Sequence, residues 1–324
     1  MKHLITSLLI VLLFSSCTQN ENELSSTQNK TANSRSTRTS STIHKGIYIN
    51  DFLHDGILGD TIKEDALLAW CHTNGFNNIY LYNIGAILSG SSKQFLDPFV
   101  QKAHNYQNGI DVTFVSAGFG TSFSNIESYH DQYSNLPKGI VSEIEFWNGG
   151  MNYTSDYLPW IHKLNSLKFD IPNGQSTPRN PNIIKRFYIG KIKNSGQAPS
   201  LTIAKELVTH HDEILLANYH SNAYNLSTST STNSIKNRLR LLALAGNELN
   251  KTVNIVILFN VNQNSSSPHI WSYFDINNGN HNFEDTYTNF YNDFLVAQDI
   301  PYKQFLNLKG FGIYRYSDAK SARP

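Results

Sequence analysis

Cysteine is almost missing from this chain of 324 residues. Only Cys17 and Cys71 are present, so no disulfide framework supports the fold. Charge is also sparse and balanced, with Lys+Arg 26 against Asp+Glu 25, and the lack of a basic surplus argues against nucleic acid as a partner. None of the twelve histidines stands at zinc-ligand spacing from Cys or Glu, so no metal or other cofactor is expected. A Gly-x-Ser-x-Gly nucleophile elbow is absent. So is a glycine-rich phosphate turn after the first strand-like run, which removes the signature of a dinucleotide-binding sheet.

What is present begins with Met1-Lys2-His3, the apolar run Leu4 to Phe14, and Ser15-Ser16-Cys17. A charged start, an apolar stretch and small residues before a cleavage point read as a secretory signal over 1–16. The run is too short for a permanent transmembrane helix. Ser15-Ser16-Cys17 resembles the lipobox of bacterial lipoproteins, which implies lipidation at Cys17, anchorage to a membrane and a place in the cell envelope. Residues 17–42 are almost all Ser, Thr, Asn, Gln and Glu with a few basic residues, a composition that cannot offset its own ordering entropy, and they read as a disordered tether. Cys71 falls in a helical pattern and reads as a small core residue.

From residue 43 to 324 short runs rich in Ile, Val, Tyr and Phe alternate with segments of helical period. The expected strands are 45–50, 78–83, 111–117, 140–146, 185–190, 213–219, 253–259 and 310–315. Helical patterns lie near 62–74, 94–107, 123–133, 155–167, 200–211, 233–248 and 285–298, with Thr61, Ser155 and Asn233 as candidate caps and a stop at Asn74-Gly75. Eight strand–helix repeats over about 280 residues fit an α/β fold of the (β/α)8 TIM-barrel type, whose functional loops gather at the carboxyl ends of the strands.

The fourth strand pattern, Gly139 to Trp147, carries two carboxylates at i and i+2, so Glu143 and Glu145 point the same way. Parity groups Val141, Glu143, Glu145 and Trp147 on a barrel-facing side and Ile140, Ser142, Ile144 and Phe146 on the helix-facing side. Two neighbouring carboxylates in a barrel raise each other's pKa, so one can hold a proton near neutrality. A purely structural alternative is a salt bridge inside the barrel with Lys191 or Arg315. Long loops after strands one, six and seven bring further polar and aromatic groups, among them Trp271, Tyr273 and Phe274, and flat rings beside polar groups suit a sugar. Tyr48, Tyr82, Trp147, Asn218 and Trp271 are the candidate substrate contacts.

Three segments then agree in order and strand placement with one family. Ser116-Ala117-Gly118-Phe119-Gly120 follows an apolar third strand, Lys138-Gly139-Ile140-Val141-Ser142-Glu143-Ile144-Glu145 forms the fourth, and Ala217-Asn218-Tyr219-His220 ends the sixth. They resemble the Ser-x-Gly-Gly, Asp-Gly-x-Asp-x-Asp-x-Glu and Met-x-Tyr-Asp motifs of family 18 glycoside hydrolases, the chitinases and endo-β-N-acetylglucosaminidases. The chain departs from them at Lys138, Val141, Glu143 and His220. The resemblance implies an oligosaccharide or glycoprotein glycan containing β-linked N-acetylglucosamine as substrate. It makes Glu145 the general acid, the substrate's acetamido oxygen the nucleophile, and Glu143 and Tyr219 its positioning groups, the substrate-assisted variant of retaining hydrolysis. A barrel that binds carbohydrate without turnover, and an adhesion or scaffold protein, are the alternatives from other functional classes.

The envelope reading turns on one atom. Replacing Cys17 by Ala should abolish acylation and move the protein out of the membrane fraction, or leave an unprocessed precursor. Metabolic lipid labelling with fractionation reads this directly, and unchanged labelling would refute it.

Overall fold

The computed structural model describes residues 43–50, 52–53, 55–116, 121–166, 183–221, 226, 233–264, 269–271 and 281–321. Cys17, the tether, Ala117 to Gly120, Tyr273 and Phe274 lie outside them. Among the described residues no helix is long and apolar enough to cross a membrane.

Eight parallel strands close into a barrel in sequence order: β1 His44–Ile49, β2 Asn78–Leu81, β3 Asp111–Ser116, β4 Gly139–Ser142, β5 Ile184–Ile189, β6 Glu213–Ala217, β7 Val253–Asn260 and β8 Leu306–Tyr314. The fold is therefore the expected (β/α)8 barrel. Helices α1 Thr61–Thr73, α2 Ile84–Ser89, α3 Lys93–Asn105, α4 Thr121–Gln132, α5 Leu158–Ser166, α6 Leu201–His210, α7 Ile235–Leu249, α8 Phe283–Val296 and α9 Tyr316–Ala319 follow the strands. Burial on both faces explains why the strands read as near-continuous apolar runs. Ile214, Leu216, Ile255 and Ile257 pack outward under helices while alternate residues fill the lumen.

Local chemistry moved several boundaries. The cap of α1 is Asp60, not Thr61: its Oδ1 accepts from the amides of Ile62 and Lys63 at 3.1 and 3.2 Å, and a carboxylate also suits the positive end of the helix. Ser234 rather than Asn233 caps α7, accepting from the Asn237 amide at 3.2 Å. Asn152 caps a π-turn over Tyr153–Tyr157 that precedes α5, so Ser155 lies inside the turn. The stop at Asn74-Gly75 holds, with Gly75 at φ +70°. Short α2 fills the connection between the second strand and the helical pattern near 94–107, where no element was expected. Cys71 is fully buried in α1 and its burial pushes the thiol pKa well up, as suits a packing residue.

The lower lumen is closed by one ion pair. Arg186 on β5 donates from Nε to Glu213 on β6 at 2.6 Å and from Nη1 to Thr113 on β3 at 2.8 Å, and its guanidinium lies 6.0 Å from the Tyr80 ring centroid. Both charged residues are at most 5% exposed. Burial raises the carboxyl pKa of Glu213, but the attraction of Arg186 outweighs it and holds the group below its ordinary value. Tyr80 in turn shares a 2.5 Å hydrogen bond with His44 of β1. Room for these large groups comes from glycine: a Cβ at Gly139 would collide with the Arg186 guanidinium and one at Gly46 with the Tyr80 ring. Among the described residues neither Glu143 nor Glu145 forms the salt bridge weighed with Lys191 or Arg315: the lumen pair is Arg186–Glu213, which the sequence reading did not name, and Arg315 pairs with Asp318 at 2.6 Å.

Removing one member of a buried pair strands the other charge, so Arg186→Met should destabilise by about 3–5 kcal/mol in urea unfolding. Arg186→Met/Glu213→Leu should recover most of that loss. Equal damage by the single and double variants would show that the pair's packing, and not its charge balance, is what matters.

Candidate functional site

β4 stops four residues short of expectation. Its last ladder bond runs from the Glu143 amide to the Ser116 carbonyl at 3.0 Å. The chain then turns, with Phe146 N–H donating to Ile144 O at 3.0 Å and Asn148 N–H to Glu145 O at 2.9 Å, and continues through Gly149 and Gly150 at φ +66° and +79°. Glu143 keeps the lumen-facing parity of Gly139 and Val141, whereas Glu145 sits past the strand, exposed on the rim. The two carboxylates are neighbours at the carboxyl end of the barrel, but not as successive positions of one regular strand.

Glu143 lies among tyrosines. Burial first, and the charge of Glu143 with it, raises the pKa of Tyr48, Tyr82, Tyr188, Tyr219 and Tyr314, which stand on β1, β5 and β8 and just past the ends of β2 and β6. Tyr48 packs 4.8 Å from Tyr80 and 5.9 Å from Tyr314 between ring centroids. Tyr219 lies 6.4 Å from Tyr188 and 6.3 Å from Tyr314, and a side-chain hydrogen bond joins Tyr188 and Tyr219. Among the described residues Oε2 of Glu143 has no hydrogen-bond partner, and neither has the Tyr48 hydroxyl. Desolvation, aided by the charge of Glu145, pushes the Glu143 carboxyl up to about 8. Glu143 therefore holds a proton at neutral pH, with no cation among the described residues to draw it off.

Glu145 accepts a 2.6 Å hydrogen bond from Asn148 Nδ2. Its charge reaches Tyr82 and Tyr188 as well as Glu143, so it belongs to the same mouth. Trp147 is 4% exposed, 5.9 Å from Tyr188 and packed where a Cβ of Gly190 would be; it walls the β5 side and offers a ligand little surface. Tyr48 is also buried, while Tyr82 and Tyr219 remain partly open. Asn218 is buried at the end of β6, its amide bound to Leu258 O at 2.7 Å. Trp271 is half-buried beyond β7, where the preceding Ile270 amide bonds Asn260 O at 2.9 Å.

Two ring members, Tyr188 and Tyr314, escaped the sequence reading. The signal was available. Tyr188 follows Arg186 by two residues, and Tyr314 follows the lumen-facing Gly312 by two, so the parity rule applied to β4 would have found both. Among the described residues no cluster of His, Cys, Asp and Glu could hold a metal.

No known family profile matches the sequence, and no curated protein does. Among solved structures, concanavalin B is similar with a TM-score of 0.49 at 13% identity, over 86% of this chain and 94% of its own. A putative α-L-fucosidase from Bacteroides thetaiotaomicron gives 0.47 at 9%, over 86% and 89%. A GH18 chitinase from Pseudoalteromonas aurantia gives 0.44 at 13%, over 86% and 96%. Likenesses this distant carry no argument about activity, and the barrel rests on its own strand pairing.

The buried proton has a thermodynamic signature. Glu143 is raised from its ordinary 4.5 to about 8, so between these values the folded protein keeps a proton that the unfolded chain has released. Its contribution to stability is complete below pH 4.5 and is lost as pH rises through 8. Melting temperature should therefore fall from pH 5 to pH 8 more steeply in the wild type than in Glu143→Gln, where nothing titrates at this position. Parallel profiles for the two proteins would exclude a raised Glu143.

Proposed function

We propose that the chain is a glycoside hydrolase of the bacterial cell envelope, tethered through Cys17, that cleaves β-linked glycans containing N-acetylglucosamine. The observation that carries this reading is the pairing of a proton-holding carboxyl, Glu143, with a rim carboxylate, Glu145, at the end of β4. Two carboxyl groups in unlike surroundings supply what glycosidic cleavage needs, a proton for the leaving oxygen and a negative charge beside the cationic ring.

In the proposed reaction Glu145, reachable from the rim, delivers the proton to the glycosidic oxygen. The 2-acetamido oxygen of the substrate forms the bond to the anomeric carbon as the leaving group departs. The proton that Glu143 holds is passed on through Glu145 to the leaving oxygen, and Glu143 is left negative beside the positively charged acetamido ring that develops. Tyr219, adjacent in space to Tyr188 and Tyr314, is placed to hydrogen-bond the acetamido group. Tyr48, Tyr82 and Trp147 shape the mouth and Trp271 stands beyond β7, whereas Asn218 shares the outward parity of Ile214 and Leu216 and is given no contact in this reading.

Carbohydrate binding without turnover is the second reading. It draws on the Glu145–Asn148 hydrogen bond, which occupies one oxygen of the proposed acid, and on Lys138 and Val141, which stand where the resembled motif has aspartates.

A hydrolysis panel of chitin oligomers, high-mannose glycopeptides and peptidoglycan separates the two. Glu145→Gln should lower cleavage by roughly 10² to 10⁴ while binding persists, and a thiazoline mimic of the acetamido-derived intermediate should inhibit the wild type. Equal cleavage by Glu145→Gln would remove Glu145 as the acid, and binding with no cleavage of any panel member would select the lectin reading.

A further inference from the structure

One strong charge near the mouth takes no part in that chemistry. Arg238 projects from the first turn of α7 and is 7% exposed. It donates from Nη1 to Ala217 O, the last carbonyl of β6, at 2.6 Å, and its Nε has no partner among the described residues. No described carboxylate pairs with it, and residues 220–237, the whole connection from Tyr219 to Arg238, contain no Asp or Glu. Burial without compensation pulls its pKa down to about 10, and Tyr188 is the group that eases this. A neutral side chain could hold the Ala217 carbonyl without this cost, since an unpaired buried cation is among the most expensive groups a fold can carry.

A second cation lies on the same side. Lys191 follows Gly190, the residue against which Trp147 packs, at the end of β5. It is half-buried, and no described carboxylate pairs with it. Among the described residues the β5–β6 side of the mouth therefore carries two cations with no carboxylate paired to them, Arg238 beside Tyr188 and Lys191 just past the end of β5. The opposite sign stands at the end of β4, where Glu145 would repel an anionic ligand approaching from that side. The charge distribution is asymmetric across the opening.

From this arrangement we infer that Arg238, with Lys191, recognises an anionic substituent on the glycan, so that the preferred ligand is an acidic oligosaccharide whose carboxylate or sulfate points toward β5 and β6 while the bond to be cleaved lies over Glu143 and Glu145. The inference rests on the glycan reading above and adds its substrate class. Guanidinium N–H groups match both planar carboxylate and tetrahedral sulfate oxygens, so the shared chemistry is a fixed oxyanion. The bound anion would also supply a counter-charge that no described residue gives Arg238.

Calorimetric binding to Glu145→Gln, in which cleavage should be slowed enough to leave the ligand intact during the titration, separates this inference from the glycan reading. Three probes are used: a neutral N-acetylglucosamine oligomer, one carrying a lactyl or uronic carboxylate, and one carrying a sulfate ester. At least one acidic probe should bind roughly tenfold tighter than the neutral one, the scale of one charge-assisted hydrogen bond. The preference should shrink in high salt. Which acidic probe wins identifies the oxyanion. Arg238→Gln should abolish the preference, whereas Arg238→Lys should keep part of it. Lys191→Gln, which leaves the Ala217 hydrogen bond in place, should reduce the preference even if Arg238→Gln proves unstable. Equal binding of all three probes, or a preference untouched by both Gln variants, would overturn the role of the cations and leave the glycan reading standing. Binding of none of the three would overturn both.

Discussion

The Arg186–Glu213 ion pair is the constraint around which the barrel is arranged. Its desolvation must be offset inside the lumen, so the guanidinium is given a carboxylate, the Thr113 hydroxyl and the face of Tyr80. Those groups occupy the space of several ordinary lumen side chains, and the neighbouring strands answer with Gly46 and Gly139. A barrel interior is normally filled in layers by branched aliphatic residues. Here a polar layer takes the lower position, and its shape dictates which strands can carry side chains at that level. Such a pair is weak evidence of stability for its own sake; what it fixes is the relative height of β3, β4, β5 and β6.

That height has an electrostatic result one layer up. Arg186 is already engaged below by Glu213, so among the described residues Glu143, two pleats above Gly139 on β4, meets tyrosines and the charge of Glu145. Placed against Arg186, the same carboxyl would be held low, as Glu213 is. Two glutamates in one barrel thus end with opposite shifts, and the difference comes from the partner each can reach. Burial is common to both. The tyrosine ring completes the separation, since its members tile the wall from β1 round to β8 and limit water at the carboxyl while leaving Tyr82 and Tyr219 partly open.

The barrel was legible because its information is local: apolar runs of strand length, helical periods and caps recur eight times, and each repeat repairs errors in its neighbours. All eight strands and seven of the helices fall where the pattern put them, with ends off by a few residues wherever a nearer oxygen, such as that of Asp60, captured the amides. Glu143 was equally legible, since parity and position alone send it into the lumen. Glu145 was not, because a strand reading assumes that extended backbone continues, and the two glycines after Asn148 let the chain turn away instead. The Arg186–Glu213 pair joins residues 27 positions apart on adjacent strands, and Thr113 joins it from across the lumen. Closure of the barrel decides such partners, and no local pattern encodes them.

The early end of β4 gives its two carboxyl groups different mechanical lives. Glu143 is anchored by a ladder hydrogen bond and enclosed by rings, so the entropy of fixing it was spent when the chain folded. Glu145 stands on a turn, exposed, with its described side-chain hydrogen bond to Asn148 also at the surface, so fixing it costs entropy that folding has not already spent. Anything that engages both must immobilise the second while finding the first already in place. The mouth is in this sense half rigid and half adaptive, and a ligand that stiffens the Glu145–Gly150 turn would register there as a loss of motion before any bond is made or broken.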